Sequence, residues 1–171
     1  MAMITNVVCL ADLNCNIDLV TLVNRTINAI YDPSRYSGIL WKHPEIGGHC
    51  NVFSSGKIMT NGKADCVKDG IKRLRRYARR IQRYGWTVRL STIRVVTVSA
   101  SYKLDGPLDL RCVNSRYGGH YEPELFPGAT FTRDNVHFTC FHTGSVLMTG
   151  IKEESQLIST VGPILIEMPL L

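Results

Sequence analysis

The chain writes one unit twice. YDPSRY at residues 31–36 returns 90 residues later as YEPELF at 121–126, and VFSSGKIMTNG at 52–62 returns 88 residues later as CFHTGSVLMTG at 140–150. Ahead of both lie β-branched runs, Asn-Val-Val-Cys from residue 6 and Thr-Val-Ser-Ala from residue 97, 91 residues apart. Three features in the same order at nearly constant spacing mark a tandem duplication. The repeats are read as residues 1–88 and 89–171, with the junction near 86–91. Whatever one copy folds into, the other must fold into as well, and the simplest union of two such copies has pseudo-twofold symmetry.

Each copy reads as strand, helix, a run of strands, then helix. In the first, residues 3–13 alternate and are β-branched, which predicts a strand. Asp18 offers an N-cap to a helix carrying Leu19, Leu22, Val23, Ile27 and Ile30 at helical spacing. Strands are expected at 36–42, 50–53 and 57–61, with Ser-Ser-Gly-Lys turning between the last two. A helix is expected over 64–84, with Gly85 as its left-handed cap. The second copy predicts strands at 91–102, 129–133, 137–141 and 145–149, and a helix over 153–161 that stops before Gly162-Pro163. The expected fold is α+β: one curved antiparallel sheet, a saddle, with helices on the convex side and the other side uncovered.

With 44% apolar and 20% charged residues, the composition is that of a globular chain rather than a disordered one. No apolar run reaches the ~18 residues of a membrane span, and the start lacks the pattern of a secretion signal. The six cysteines show no CxxC spacing, so reduced, buried thiols are expected. In HFTCFH (137–142) the strand period puts Cys140 and His142 on one face and His137 on the other, too few ligands for a metal. No cofactor is expected. No nucleophile elbow, phosphate loop or Cys-His-Asp grouping is evident, so enzyme activity is not expected. The net charge of +6 is uneven: residues 1–90 carry +8 and residues 91–171 carry −2. That asymmetry suggests different partners for the two halves.

HYEPELFPG (120–128), VFSSGK (52–57) and NAIYDPSRY (28–36) closely resemble the signature motifs of the TATA-box-binding protein family, along essentially the whole chain. The opening ITNVVC is similar to the TATA-binding-protein-like factors of animals. The resemblance implies the saddle inferred from the repeat, and DNA bound on its uncovered side. It also implies a nuclear general initiation factor that works with transcription factors IIA and IIB and the RNA polymerase machinery.

Alternate residues on the uncovered face mix apolar and small polar groups with few charges. Asn6, Val8, Leu40, Ser55, Lys57, Met59 and Asn61 are the candidate minor-groove contacts of the first copy. Thr97, Ser99, Thr143, Leu147 and Thr149 are those of the second. Such a surface suits a widened minor groove, where the readable signal is A·T against G·C. By resemblance, Tyr36 with Phe53, and Phe126 with Phe141, match intercalating phenylalanines that unstack a base step and kink the duplex, behaviour already established for this family. Read from composition alone, four such aromatics belong in a core. Several positions depart from the family: Tyr36 replaces a phenylalanine, Thr97 an asparagine paired with Asn6, Ser99 a valine and Ser145 a lysine. These departures predict a weakened preference for TATA sequences.

Two further surfaces follow from the resemblance. The basic helix at 64–84 presents Lys72, Arg73, Arg76 and Arg80 to regulators and factor IIA, although a solvated cationic face is an ordinary thing for a helix to have. Glu122, Glu124 and Leu125 match the loop offered to factor IIB. An alternative function is an interaction module that docks these factors with little or no TATA preference. An uncovered apolar face also predicts self-association when DNA is absent.

Overall fold

A computed structural model describes all residues from 1 to 171. Its packing divides into two units: Asn6–Val96, and Thr97–Leu171 together with Met1–Thr5.

In the first unit, β1 (Met3–Asp12) leads into α1 (Leu19–Arg25), then β2 (Ala29–Ile30), β3 (Ile39–Trp41), β4 (His49–Val52), β5 (Lys57–Asn61) and α2 (Val67–Arg83). The strands lie in the order β2-β3-β4-β5-β1, with every pair antiparallel. Alternation decides the faces: Val7, Cys9, Ala11, Ile39, Trp41, Cys50, Val52, Ile58 and Thr60 are buried, and apart from Gly38 their neighbours in sequence are not. The helix α2 covers the buried face with Leu74, Tyr77, Ala78 and Ile81. A Cβ on its Gly70 would collide with Val7, so glycine there sets how closely helix and sheet approach. Trp41 meets Tyr77 edge-on at 4.9 Å between ring centroids, both rings fully buried.

The second unit repeats the plan: β6 (Ser91–Lys103), α3 (Leu110–Tyr117), β7 (Gly128–Arg133), β8 (Val136–Phe141), β9 (Ser145–Ile151), then a π-helical turn at Leu157–Val161 running into α4 (Gly162–Ile166). Its strand order is β6-β9-β8-β7, again antiparallel. Tyr117, Phe131 and Phe138 form a stacked column at 4.4 and 4.8 Å beneath α3.

Several sequence expectations are corrected. The first helix does not reach Ile30: it ends at Arg25, Thr26 is extended and Asn28 takes a left-handed φ of 54°. Ile27 and Ile30 are therefore exposed, and Ile30 belongs to β2. The strand expected from Tyr36 begins only at Ile39, because Arg35 N and Tyr36 N both donate to the Asp32 carbonyl and close a turn. The last helix is not stopped by Gly162-Pro163. Pro163 sits in the first turn of α4, where its missing N–H costs nothing, so the π-turn hands over to a fresh helix. Helix α3 had no assigned range, although Asp109 caps it through the Arg111 and Cys112 amides and Gly118 closes it in the left-handed region. Cys140 is buried in β8 while His142 is exposed in the following turn, so the two do not share a face.

Candidate nucleic-acid interface

Helices cover one face of each unit's sheet, and the other face carries the sequence-predicted contact residues. In the first unit, strand register lines up Ile30, Leu40, Asn51, Met59 and Leu10 as successive neighbours across all five strands. In the second, His120 bridges to Thr130, and Thr130, Thr139, Leu147 and Ser101 follow in the same way. Each residue of one row stands at the repeat position of its counterpart in the other. Neither row contains a lysine, arginine, aspartate or glutamate, and Leu40 and Leu147 are nearly half exposed, at 47% and 45%. Asn6 and Val8 flank the first row on β1, Lys57 and Asn61 on β5; Thr97 and Ser99 flank the second on β6, Thr149 on β9. Ser55 and Thr143 are exposed in the two tight turns. Asn51, Thr139 and Ser101 escaped the sequence reading. Only the pairing register, which depends on strand ends, places them in the rows.

Where β3 begins and β4 ends in the first unit, and where β7 begins and β8 ends in the second, stands an aromatic pair. Tyr36 meets Phe53 at 5.9 Å and 61°, and Phe126 meets Phe141 at 5.9 Å and 64°. Each pair joins a ring from the end of the Asp-Pro or Glu-Pro turn to one at the end of the following β4 or β8 strand. None of the four belongs to the buried core, and Phe126 is 44% exposed. A glycine underlies each pair: a Cβ on Gly38 would lie 2.9 Å from Phe53 Cε1, and one on Gly128 would lie 2.7 Å from Phe126 Cε1. The Tyr36 hydroxyl accepts from Asn51 Nδ2 at 3.3 Å, so its polar atom is partnered along the open row. At the position matching Asn6, Thr97 Oγ1 accepts from Gly150 N at 3.1 Å, which occupies one of its two lone pairs.

The basic helix is less free than its sequence suggests. Arg73 departs from the expected regulator contact: its guanidinium packs against Gly48 and Gly62 and donates to the Lys63 carbonyl. Arg76 donates to the Glu45 carbonyl at 2.9 Å. Arg80 pairs with the Glu45 carboxylate at 2.8 Å and holds that carboxyl below its ordinary range. Lys72 and Arg76 remain exposed, as do Lys68, Arg75, Arg79 and Arg83. In the second unit, Glu122, Glu124 and Leu125 project from a turn closed by Leu125 N and Phe126 N on the Glu122 carbonyl, the same bonds that Asp32 accepts in the first. Leu125 is 79% exposed.

The profile of the family described as transcription factor TFIID, or TATA-binding protein, matches residues 1–84 and 92–167, one segment per repeat. Rat TATA box-binding protein-like 2 is 32% identical over 156 residues, covering 89% of this chain and 45% of that protein. The TBP-related factor of Drosophila melanogaster is 27% identical over 168 residues, covering 94% of this chain and 75% of its own length. Among solved structures, Methanococcus jannaschii TBP superposes with a TM-score of 0.81 at 25% identity, covering 96% of this chain and 95% of that one. The chain spans about half the length of curated relatives such as the rat protein. Profile and superposition together give the α+β fold of two repeats that the duplication predicted, with antiparallel sheet and four helices. The chain belongs to the TATA-binding protein family, a family of transcription factors rather than enzymes.

Proposed function

We propose that the chain binds double-stranded promoter DNA in the minor groove, kinks it with its two aromatic pairs, and acts in transcription initiation in the nucleus. The observation that carries this reading is the matched pair geometry: two separate units hold two rings each at the same separation and nearly the same angle, outside the core. Rings so placed can wedge into a base step, and partial unstacking is repaid by the longer contact a bent duplex makes. The rows beside them offer apolar atoms and neutral hydrogen-bonding groups, which suit base edges and sugars better than phosphates. The exposed Glu122, Glu124 and Leu125 supply a surface for factor IIB. Lys72, Arg76 and the outer edge of Arg80 supply one for factor IIA and other acidic regulators, and through these the polymerase machinery is recruited.

The polar second row favours a companion reading, in which DNA is gripped with little sequence preference and protein docking dominates. Thr130, Thr139 and Ser101 stand where the first row has Leu40, Asn51 and Leu10, and Thr97, which replaces an amide with a hydroxyl, accepts from Gly150 N. A duplex labelled at both ends for energy transfer tests the proposal. The parent protein bends a TATA duplex and the Phe126→Ala, Phe141→Ala double variant does not, while factor IIB capture by that variant persists. A parent protein that never bends the duplex removes the wedge and leaves the docking module.

A further inference from the structure

The two aromatic pairs share a geometry and differ in chemistry. Tyr36 meets Phe53 at 5.9 Å and 61°, and Phe126 meets Phe141 at 5.9 Å and 64°, so the backbone holds both alike. Only the first carries a polar atom at its tip. The Tyr36 hydroxyl accepts from Asn51 Nδ2 at 3.3 Å. Asn51 precedes Phe53 by two residues, with buried Val52 between them, so both lie on the open side of the chain. The bond therefore keeps the hydroxyl over the open row, beside a residue that belongs to it. At the matching positions the second unit has Phe126 and Thr139, and a phenyl ring offers the threonine nothing to bond.

A phenolic hydroxyl holds its proton near the plane of the ring, on one side or the other. Where an amide N–H comes in from one side, the proton must take the other. Asn51 thus turns Tyr36 into a donor of fixed direction. The minor-groove edge of an A·T pair shows only acceptors, adenine N3 and thymine O2, whereas a G·C pair adds the guanine 2-amino donor. A fixed donor suits the first edge and meets a second donor on the other.

We propose that Tyr36, aimed by Asn51, reads the base step that the first wedge opens and favours A·T over G·C there, while the hydrocarbon wedge of the second unit makes no such choice. Tyr36 is the contact and Asn51 its positioning residue. The inference rests on the minor-groove reading above and goes beyond it, because wedging needs only the rings and base choice needs the hydroxyl. The tyrosine thereby adds a contact at its own step, even where the hydroxyl-rich second row weakens preference elsewhere.

The test uses the full chain and a TATA duplex labelled for energy transfer, in which one A·T pair at a time becomes G·C or inosine·cytosine. The inosine pair is G·C without the 2-amino group. At one of the two kinked steps, G·C should weaken binding by the parent about tenfold and inosine·cytosine should not, as expected for one well-placed base contact. Tyr36→Phe should cut that penalty to about twofold while still bending the A·T duplex, and should leave the other kinked step unchanged. Asn51→Ala should lower the same penalty, and the double variant should lower it no further than Tyr36→Phe alone, since both act through one proton. A penalty that Tyr36→Phe leaves intact overturns the inference, with bending by the parent still upholding the minor-groove reading. A preference for G·C over inosine·cytosine at that step also overturns it, because the amide oxygen of Asn51 would then be the reader. A parent that bends no duplex removes the minor-groove reading itself, and the inference with it.

Discussion

Gly128→Ala separates the wedge from the stability of the fold. A Cβ at this position lies 2.7 Å from Phe126 Cε1 and 3.2 Å from the Cys140 carbonyl oxygen. The ring is the closer obstacle and it is 44% exposed, so it can swing outward, and the backbone contact needs only a few tenths of an ångström of relief. Overpacking ordinarily costs ~1–3 kcal/mol; with a mobile obstacle the cost falls near the low end, about 1 kcal/mol, which lowers Tm by about 2–4 °C in a chain of this size. The ring that swings away, however, loses its edge contact with Phe141, worth ~0.5–1.5 kcal/mol, and must be driven back to enter a base step. That penalty corresponds to about tenfold weaker DNA binding. Gly38→Ala behaves differently, because its Cβ meets the Val52 carbonyl oxygen at 2.9 Å as well as the Phe53 ring. Backbone cannot retreat, so about 2–3 kcal/mol is lost and Tm falls by about 5–10 °C. Scanning fluorimetry and energy-transfer bending, run on both variants, read the two effects. A Gly128→Ala variant that bends DNA with the parent's affinity, or that melts as low as Gly38→Ala, would overturn this assignment.

Three further outcomes are expected. Tyr77→Phe removes a buried hydroxyl that donates to Gly47 O at 2.8 Å and accepts from His43 N at 3.2 Å. It should cost about 2 kcal/mol by denaturant titration, since the buried His43 amide and the half-buried Gly47 carbonyl lose their partner. Burial pushes the Tyr77 phenol up to about 12. Its raised pKa contributes stability that is intact below the unfolded value of about 10 and lost as pH rises toward 12, which a pH series of melts in parent and variant will show. Cys112 is exposed and should alkylate first at pH 8, whereas Cys140, whose thiol burial pushes up to about 12, and the fully buried Cys50 should react only after unfolding, as mass spectrometry of the modified peptides will report. Thr97→Asn supplies an amide at the position matching Asn6 and should raise the preference for TATA over scrambled duplex about fivefold in gel-shift titrations, a modest share of a good base contact; an unchanged ratio would detach Thr97 from sequence reading.

The duplication carried most of the architecture because repeated motifs fix the order of elements without any need to judge propensities. Alternation then gave the open faces, since each strand buries every second residue against a helix. Element ends were harder. Ile27 and Ile30 continued a helical spacing by coincidence, and nothing local announced that Asn28 would turn left-handed. The carbonyl of Asp32 shortened the strand expected from Tyr36 by capturing two amides, a contest between turn and strand that hydrophobic pattern does not record. Arg73 looked like one cation among eight. Its removal from the helix surface depends on two glycines, Gly48 and Gly62, that are distant in sequence and leave space for the guanidinium.

Duplicated surfaces that had stayed identical would offer one set of contacts twice over. Here the first strip is Ile-Leu-Asn-Met-Leu and the second His-Thr-Thr-Leu-Ser. Five matched positions differ at every place, greasier on one side and hydroxyl-rich on the other. That inequality gives each strip a palate of its own: what satisfies the greasy one leaves the hydroxyls of the other unanswered.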